Sequence, residues 1–218
     1  MNDIDTTVVM ITWSPTEKRF AVLQKSFGSL KDHTCRPHIL TVVDNGPKSQ
    51  TDWLANQEID IHIVNEVNQG VGKARNQGAE ATKTKYIAFV DNDLLFFSGW
   101  LRACIAALEE HEDLPLIATP RKTSPMKYKK FFRGQLGEYQ LWSRCAGMAL
   151  VMRRSDYDRL GHWNTGSQPG GKFCDTARRN GYRFIWHPTW LTRHLCKRPC
   201  YDHQKTLING EWVSPKKE

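Results

Sequence analysis

At 218 residues, with 39% hydrophobic and 25% charged side chains, the chain is long enough to bury a proper core and fits one domain or two small halves sharing a core. No run approaches 18 consecutive apolar residues, which excludes a membrane-spanning helix. MNDIDTTVVM at the N-terminus has no basic n-region and predicts no secretory signal peptide, so the six cysteines read as reduced thiols of a cytoplasmic protein rather than a disulfide scaffold. The net charge of +8 is split unevenly. Residues 1–119 hold 11 Lys and Arg against 16 Asp and Glu, net −5, while residues 120–218 hold 20 against 7, net +13. The second half therefore either meets something anionic or presents a solvated basic face.

In chain order, residues 6–13 (TTVVMITW) form a β-branched apolar run suited to a buried strand. Ser14 suits an N-cap, with Pro15 at the first helical position and Glu17 completing a capping box. Phe20, Leu23, Phe27 and Leu30 then repeat at helical spacing. Residues 38–44 (HILTVVD) predict a second strand, stopped by Asn45-Gly46-Pro47, and residues 59–64 a short third. Val71, Ala74, Gly78 and Ala81 mark a helix with a small-residue face, and residues 85–90 (KYIAFV) a fourth strand. Ser98 can cap a helix with the stripe Leu101, Cys104, Ile105 and Leu108, and 115–119 is a short strand. Residues 122–144, rich in Lys, Arg, Phe and Tyr, read as a long surface loop. Residues 145–152 resume the sheet, 155–160 form a helix closed by Gly161, and a glycine-rich turn (166–171) precedes a helix over about 173–180. Residues 183–187 form a last strand. This alternation predicts an α/β fold with a parallel sheet and right-handed crossovers, in which ligands bind beyond the carboxyl ends of the strands. Asp44 and Asp91-Asn92-Asp93 fall at such ends.

Two aspartates two positions apart after an apolar strand can turn both carboxylates toward one point if the chain bends at Asn92. Magnesium and manganese are held by one or two carboxylates plus phosphate oxygens. An acidic strand-end turn has the same pattern.

The surroundings of that pair are more specific. Asn68-Gln69-Gly70, Ala74-Arg75-Asn76-Gln77-Gly78, KYIAFVDND and, upstream, Val43-Asp44-Asn45-Gly46 together resemble the nucleotide-sugar half of the GT-A glycosyltransferases, glycosyltransferase family 2 above all. Pro47 stands where that family has Ser or Thr. CAGMALVMRRSDYDRLGHWN and NGYRFIWHP with a following His continue the likeness more weakly, to about His194. The resemblance implies a GT-A (Rossmann-like) three-layer α/β/α fold with a mostly parallel central sheet, over a single domain 1–218 whose donor-binding half is about 1–119 and whose basic acceptor half is about 120–218. It implies that Asp44 binds the nucleobase or ribose, that Trp13 stacks nearby, and that Arg75 meets the base edge or diphosphate. Asp91 and Asp93 would hold the ribose and a Mn2+ or Mg2+ ion, with His194 a further ligand. The donor would be a nucleoside-diphosphate sugar such as a UDP-sugar.

The departure lies at the catalytic base. Family members carry Glu-Asp about a dozen residues before the final Gly-Tyr, where this chain has Pro169 and Gly170. Asp175 is the nearest acid and the candidate base of an inverting transfer, which needs a carboxylate to take the acceptor hydroxyl's proton; helix capping is its other reading, and Asp156 and Asp158 come next. A binding module that kept the fold and lost the chemistry would look the same. His194, Cys196, Cys200 and His203 fall within ten residues, too crowded for the usual zinc spacing. The basic-aromatic stretch 122–144 suits a lid over the nucleotide-sugar or a groove for a polyanion. DNA with hydroxymethylated bases, as in a phage-type DNA modification, fits that charge; a glycan or protein hydroxyl is the alternative acceptor.

Overall fold

A computed structural model of the chain describes residues 4–120, 129–145, 148–189 and 191–195, with the backbone of 206–208 and 211–213. The first strand, β1 (Thr6–Thr12), is buried at every position, as a strand covered on both faces must be. Its period-2 alternation sends Val8 and Met10 to one face, against Leu23, Phe27 and Leu30 of α1 (Glu17–His33). Val9 and Ile11 face the other way, toward Ala74 and Ala79 of α3 (Val71–Glu80). Each such buried Leu or Phe contributes about 1.5–3 kcal/mol, and the two apolar layers together define the three-layer α/β/α arrangement.

The remaining elements are β2 (Ile39–Asp44), α2 (Lys48–Leu54), β3 (Ile61–Val64), β4 (Tyr86–Asp91), β5 (Leu94–Phe96), α4 (Trp100–Glu110) and β6 (Leu116–Thr119). After them come a 3-10 turn (Lys129–Phe131), β7 (Phe132–Leu136), β8 (Tyr139–Trp142), β9 (Ala149–Arg153), α5 (Arg154–Leu160), α6 (Pro169–Arg179), β10 (Arg183–Trp186) and β11 (Thr192–His194). A short antiparallel pair, β12 (Thr206–Ile208) with β13 (Glu211–Val213), follows. The central sheet has the order β3-β2-β1-β4-β9-β6-β10-β8-β7. β1 pairs in parallel with β2 and β4, β2 with β3, and β6 with β10, whereas β9 and β8 run against their neighbours. Thus the sheet is mostly parallel, and strands from both halves of the chain interleave in it. Among the described residues no helix is long and apolar enough to cross a membrane.

Several local expectations change. α1 begins at Glu17 with Thr16 as N-cap, its hydroxyl accepting from Arg19 N at 3.4 Å. Ser14 is drawn off the helix because it is buried and accepts a bond from Asn92 at 3.2 Å. α4 starts after Gly99 in the left-handed region (φ 76°) and not after Ser98. The stretch read as a surface loop instead carries, in its described part, the β7–β8 hairpin that ends the sheet, Trp142 stacking on Trp186 at 4.1 Å. Residues 121–128 lie outside the described residues. α6 begins at Pro169, so part of the glycine-rich turn is helical.

Candidate active site

The carboxyl ends of β1 and β4 frame a pocket of about 200 Å3. Ile11 and Trp13 line it from β1 and the residue following, Asn45 from the end of β2, and Asn68, Gly70 and Val71 from the entry to α3; Asp91, Asn92 and Asp93 close it. Asn92 Nδ2 donates to Trp13 O at 3.4 Å and to Ser14 Oγ at 3.2 Å, tying the turn between the two aspartates to the end of β1.

Arg75 Nη2 donates to Asp91 Oδ1 at 2.7 Å and is almost wholly buried. Its guanidinium lies 4.2 Å over the Trp163 ring, which in turn stacks on Phe173 at 4.0 Å. Asn76, next in the chain, clamps Trp163 by accepting from its backbone N–H at 2.8 Å and donating to its carbonyl at 3.0 Å. Burial pushes the Asp91 carboxyl up to about 6; the Arg75 charge opposes this and the neighbouring Asp93 adds to it. Asp93 Oδ2 lies 3.0 Å from His194 Nε2, and Leu195 N donates to Asp93 O at 2.8 Å. Its other oxygen, Oδ1, is buried and has no hydrogen-bond partner among the described residues. The pairing of β11 with β5 sets His194 opposite Leu94 and so beside Asp93.

Asp91, Asp93 and His194 therefore come together, with Arg75 and Trp13 at the same site. Asp44 does not line the pocket. It is fully buried, and its carboxylate accepts from Gly46 N at 2.8 Å, Thr12 Oγ1 at 3.1 Å, Thr51 Oγ1 at 2.7 Å and the Gln50 amide, with His62 Nε2 at 3.7 Å. The short helix α2, which supplies Gln50 and Thr51, carries no clear periodic signal. Asn45, one residue on, takes the place at the pocket. Asp175 sits in the middle of α6 and lines a separate cleft. Cys196, Cys200 and His203 lie outside the described residues. Trp163 joins the site through Arg75 and Phe173, and nothing in the sequence beyond its place in GHWN marks it.

Among the described residues no three His, Cys, Asp or Glu side chains form a preformed metal cage. Two carboxylates, one of them with an oxygen that has no partner among the described residues, nevertheless suit a hard divalent cation, whose remaining ligands would be phosphate oxygens and water.

A nine-stranded, mostly parallel sheet between helical layers, with an aspartate pair at the end of its fourth strand, defines a GT-A fold of glycosyltransferase type. Residues 8–161 match the glycosyl transferase family 2 profile, and the chain belongs to that family. It is 25% identical over 109 residues to a Haemophilus influenzae protein named "Uncharacterized glycosyltransferase", spanning 50% of this chain and 37% of the relative. Its fold is similar to that of GalNAc-T7 crystallised with UDP, GalNAc and Mn2+ (TM-score 0.67, 15% identity, 88% of this chain and 43% of that one). It is also similar to S. aureus TarS (TM-score 0.61, 15% identity, 85% and 37%). The chain thus spans well under half the length of these proteins.

Proposed function

We propose that the chain transfers a sugar from a nucleoside-diphosphate sugar, a UDP-sugar in the first instance, to an acceptor hydroxyl. The observation that carries this reading is the pocket at the ends of β1 and β4, where Asp93 Oδ1 is buried beside Asp91 and has no hydrogen-bond partner among the described residues. At about 200 Å3 it is smaller than the 300–1,000 Å3 of a typical ligand site, so it accommodates the diphosphate and ribose end rather than the whole donor. The family membership and the UDP and Mn2+ in GalNAc-T7 support the same donor and metal.

In this reading Asp91 and Asp93 would hold Mn2+ or Mg2+ with the donor diphosphate, with His194, 3.0 Å from Asp93 Oδ2, as the further ligand. A divalent ion bound there supplies positive charge against the charge that develops on the leaving diphosphate. Arg75 keeps Asp91 in place, and Trp13 offers a face for the base or ribose. Asp175 is the proposed acceptor base of an inverting transfer: it takes the hydroxyl proton as the acceptor oxygen bonds the anomeric carbon, and the nucleoside diphosphate leaves with the bonding pair. The net +13 of residues 120–218 suits an anionic acceptor, of which hydroxymethylated DNA is one form and an acidic glycan another.

Thermal stability with UDP, GDP or TDP plus Mn2+ tests the donor site. Binding at 100 times Kd stabilises the folded state by about 2.7 kcal/mol. No shift with any nucleotide would remove the assignment, and a shift without sugar transfer would leave a binding module.

A further inference from the structure

A second cleft, of about 690 Å3, lies beside α6, outside the donor pocket. Lys172, Asp175, Arg178 and Arg179 line it from the helix, with Phe173 and, across from them, Asn164. Their spacing would allow ion pairs along the helix, yet none forms. Among the described residues no carboxylate lies within 4 Å of any of the three cations, and the Asp175 side chain makes no hydrogen bond or ion pair. Among the described residues Lys172 Nζ reaches only Asn164 Oδ1, at 3.4 Å, and Arg179 Nη2 only Thr176 Oγ1, at 3.3 Å. Lys172 and Arg179, seven residues apart, share a face with about 10 Å between them along the axis.

The cleft and the donor pocket share no lining residue, and the start of α3 packs between them. Gly70 and Val71 line that pocket, and Gly72 follows them so close to the Asn164 carbonyl that a Cβ there would fall 2.0 Å from its oxygen and 3.2 Å from Pro169 Cβ. Phe173 of the cleft stacks on Trp163, which stacks on Arg75, which holds Asp91. Two sites of opposite sign are therefore linked through Gly72, Asn164 and the Trp163–Phe173 stack, an acidic one for the metal and diphosphate and a cationic one opening beside Asn164.

Resting on the glycosyl-transfer reading above, we propose that this cleft is the acceptor subsite and takes a saccharide bearing a carboxylate or phosphate. An amide, a carboxylate and a hydroxyl in one concave site match sugar hydroxyls, and the arginines match a planar or tetrahedral anion. Asp175 decides between the anionic classes. A phosphodiester chain would bring charge past that carboxylate at each step, whereas a saccharide can present a hydroxyl to Asp175 and its acid group to Lys172 and Arg179.

The test is calorimetric titration of the full chain, in the presence of UDP and Mn2+, with trigalacturonate, mannose 6-phosphate, neutral maltotriose and a twelve-residue oligothymidylate. At least one acidic saccharide binds at least tenfold tighter than maltotriose, and the two acids tell carboxylate from phosphate. The variant Lys172→Glu/Arg179→Glu, both exposed positions, weakens that binding at least tenfold while the UDP–Mn2+ thermal shift stays at wild-type size. Maltotriose binding as well as the acids, no saccharide binding, or an unaffected variant overturns the proposal. So does oligothymidylate binding in competition with the acids and lost in the variant, which assigns the cleft to a nucleic-acid strand. Absence of the UDP–Mn2+ shift in the wild type strikes the donor reading instead, and leaves the saccharide titration to be judged on its own.

Discussion

Asp91 and Asp93 stand two residues apart in very different surroundings. Asp91 is held by Arg75, so it is positioned before any ligand arrives; Asp93 is held on one oxygen by His194, and the other has no partner among the described residues. Asp93→Asn keeps the shape and removes the charge, and it is expected to lower kcat/KM by about 10²–10³-fold, several kcal/mol of lost transition-state stabilisation. Mn2+ should then add nothing to the thermal shift that UDP alone gives; a variant with wild-type turnover would exclude Asp93 from the site. Asp91 gives a pH signature. Its carboxyl titrates at about 6 in the folded chain against 3.8 ordinarily, because burial outweighs the Arg75 charge. The folded state therefore binds the proton more tightly, and this contribution to stability is present below about 4 and lost as pH rises through 6. In metal-free protein, the wild type should lose stability relative to Asp91→Asn between pH 4 and 6.5, measured as urea midpoints; a constant difference would show that the carboxyl is not raised. For Asp175, replacement by Asn should reduce kcat by about 10²–10⁴-fold with UDP affinity nearly unchanged. Equal activity would move the base to another acid or favour a retaining reaction.

At the scale of elements, α3 carries much of the site, and its sequence is restrictive for packing reasons as well as chemical ones. Gly78 rests on the sheet so closely that a Cβ would stand 2.2 Å from Val9 Cγ1 and 3.1 Å from Val43 Cγ2. Both valines are fully buried, so neither can swing away. Gly78→Ala is expected to cost about 1–3 kcal/mol by overpacking, read from chemical denaturation; a neutral result would mean that α3 can lift from the sheet without cost. The strands and longer helices were legible because their apolar positions repeat at periods of 2 and 3.6. The short pieces were not. β5 is three residues, and β11, its partner, lies almost a hundred residues further on; neither has a periodic signal. α2 is also short, and its Gln50 and Thr51 are what saturate Asp44.

Over the whole molecule, the two charge halves do not fold into separate sheets. β9, from the basic half, lies between β4 and β6 of the acidic half, and β10 pairs with β6. Neither half can close its sheet alone, so unfolding is expected to be a single transition with coincident midpoints by far-ultraviolet circular dichroism and tryptophan fluorescence. Two separated transitions would show independent halves. The alternation of strands and helices, the aspartate pair at a strand end and the Asn-Gly and Ala-Arg-Asn motifs could all be read without coordinates, since each is written in neighbouring residues. Asn76 illustrates the boundary: its motif was readable, its grip on Trp163 was not. The chain's folded arrangement alone brings His194 to Asp93, sets Arg75 between Asp91 and Trp163, spends Asp44 on internal hydrogen bonds, and stands Asp175 among cations that have no carboxylate partner among the described residues. The physical reason is that each of these depends on contacts between segments far apart in the chain, made by sheet order and by helices crossing it, and such contacts leave no period or spacing in the local sequence.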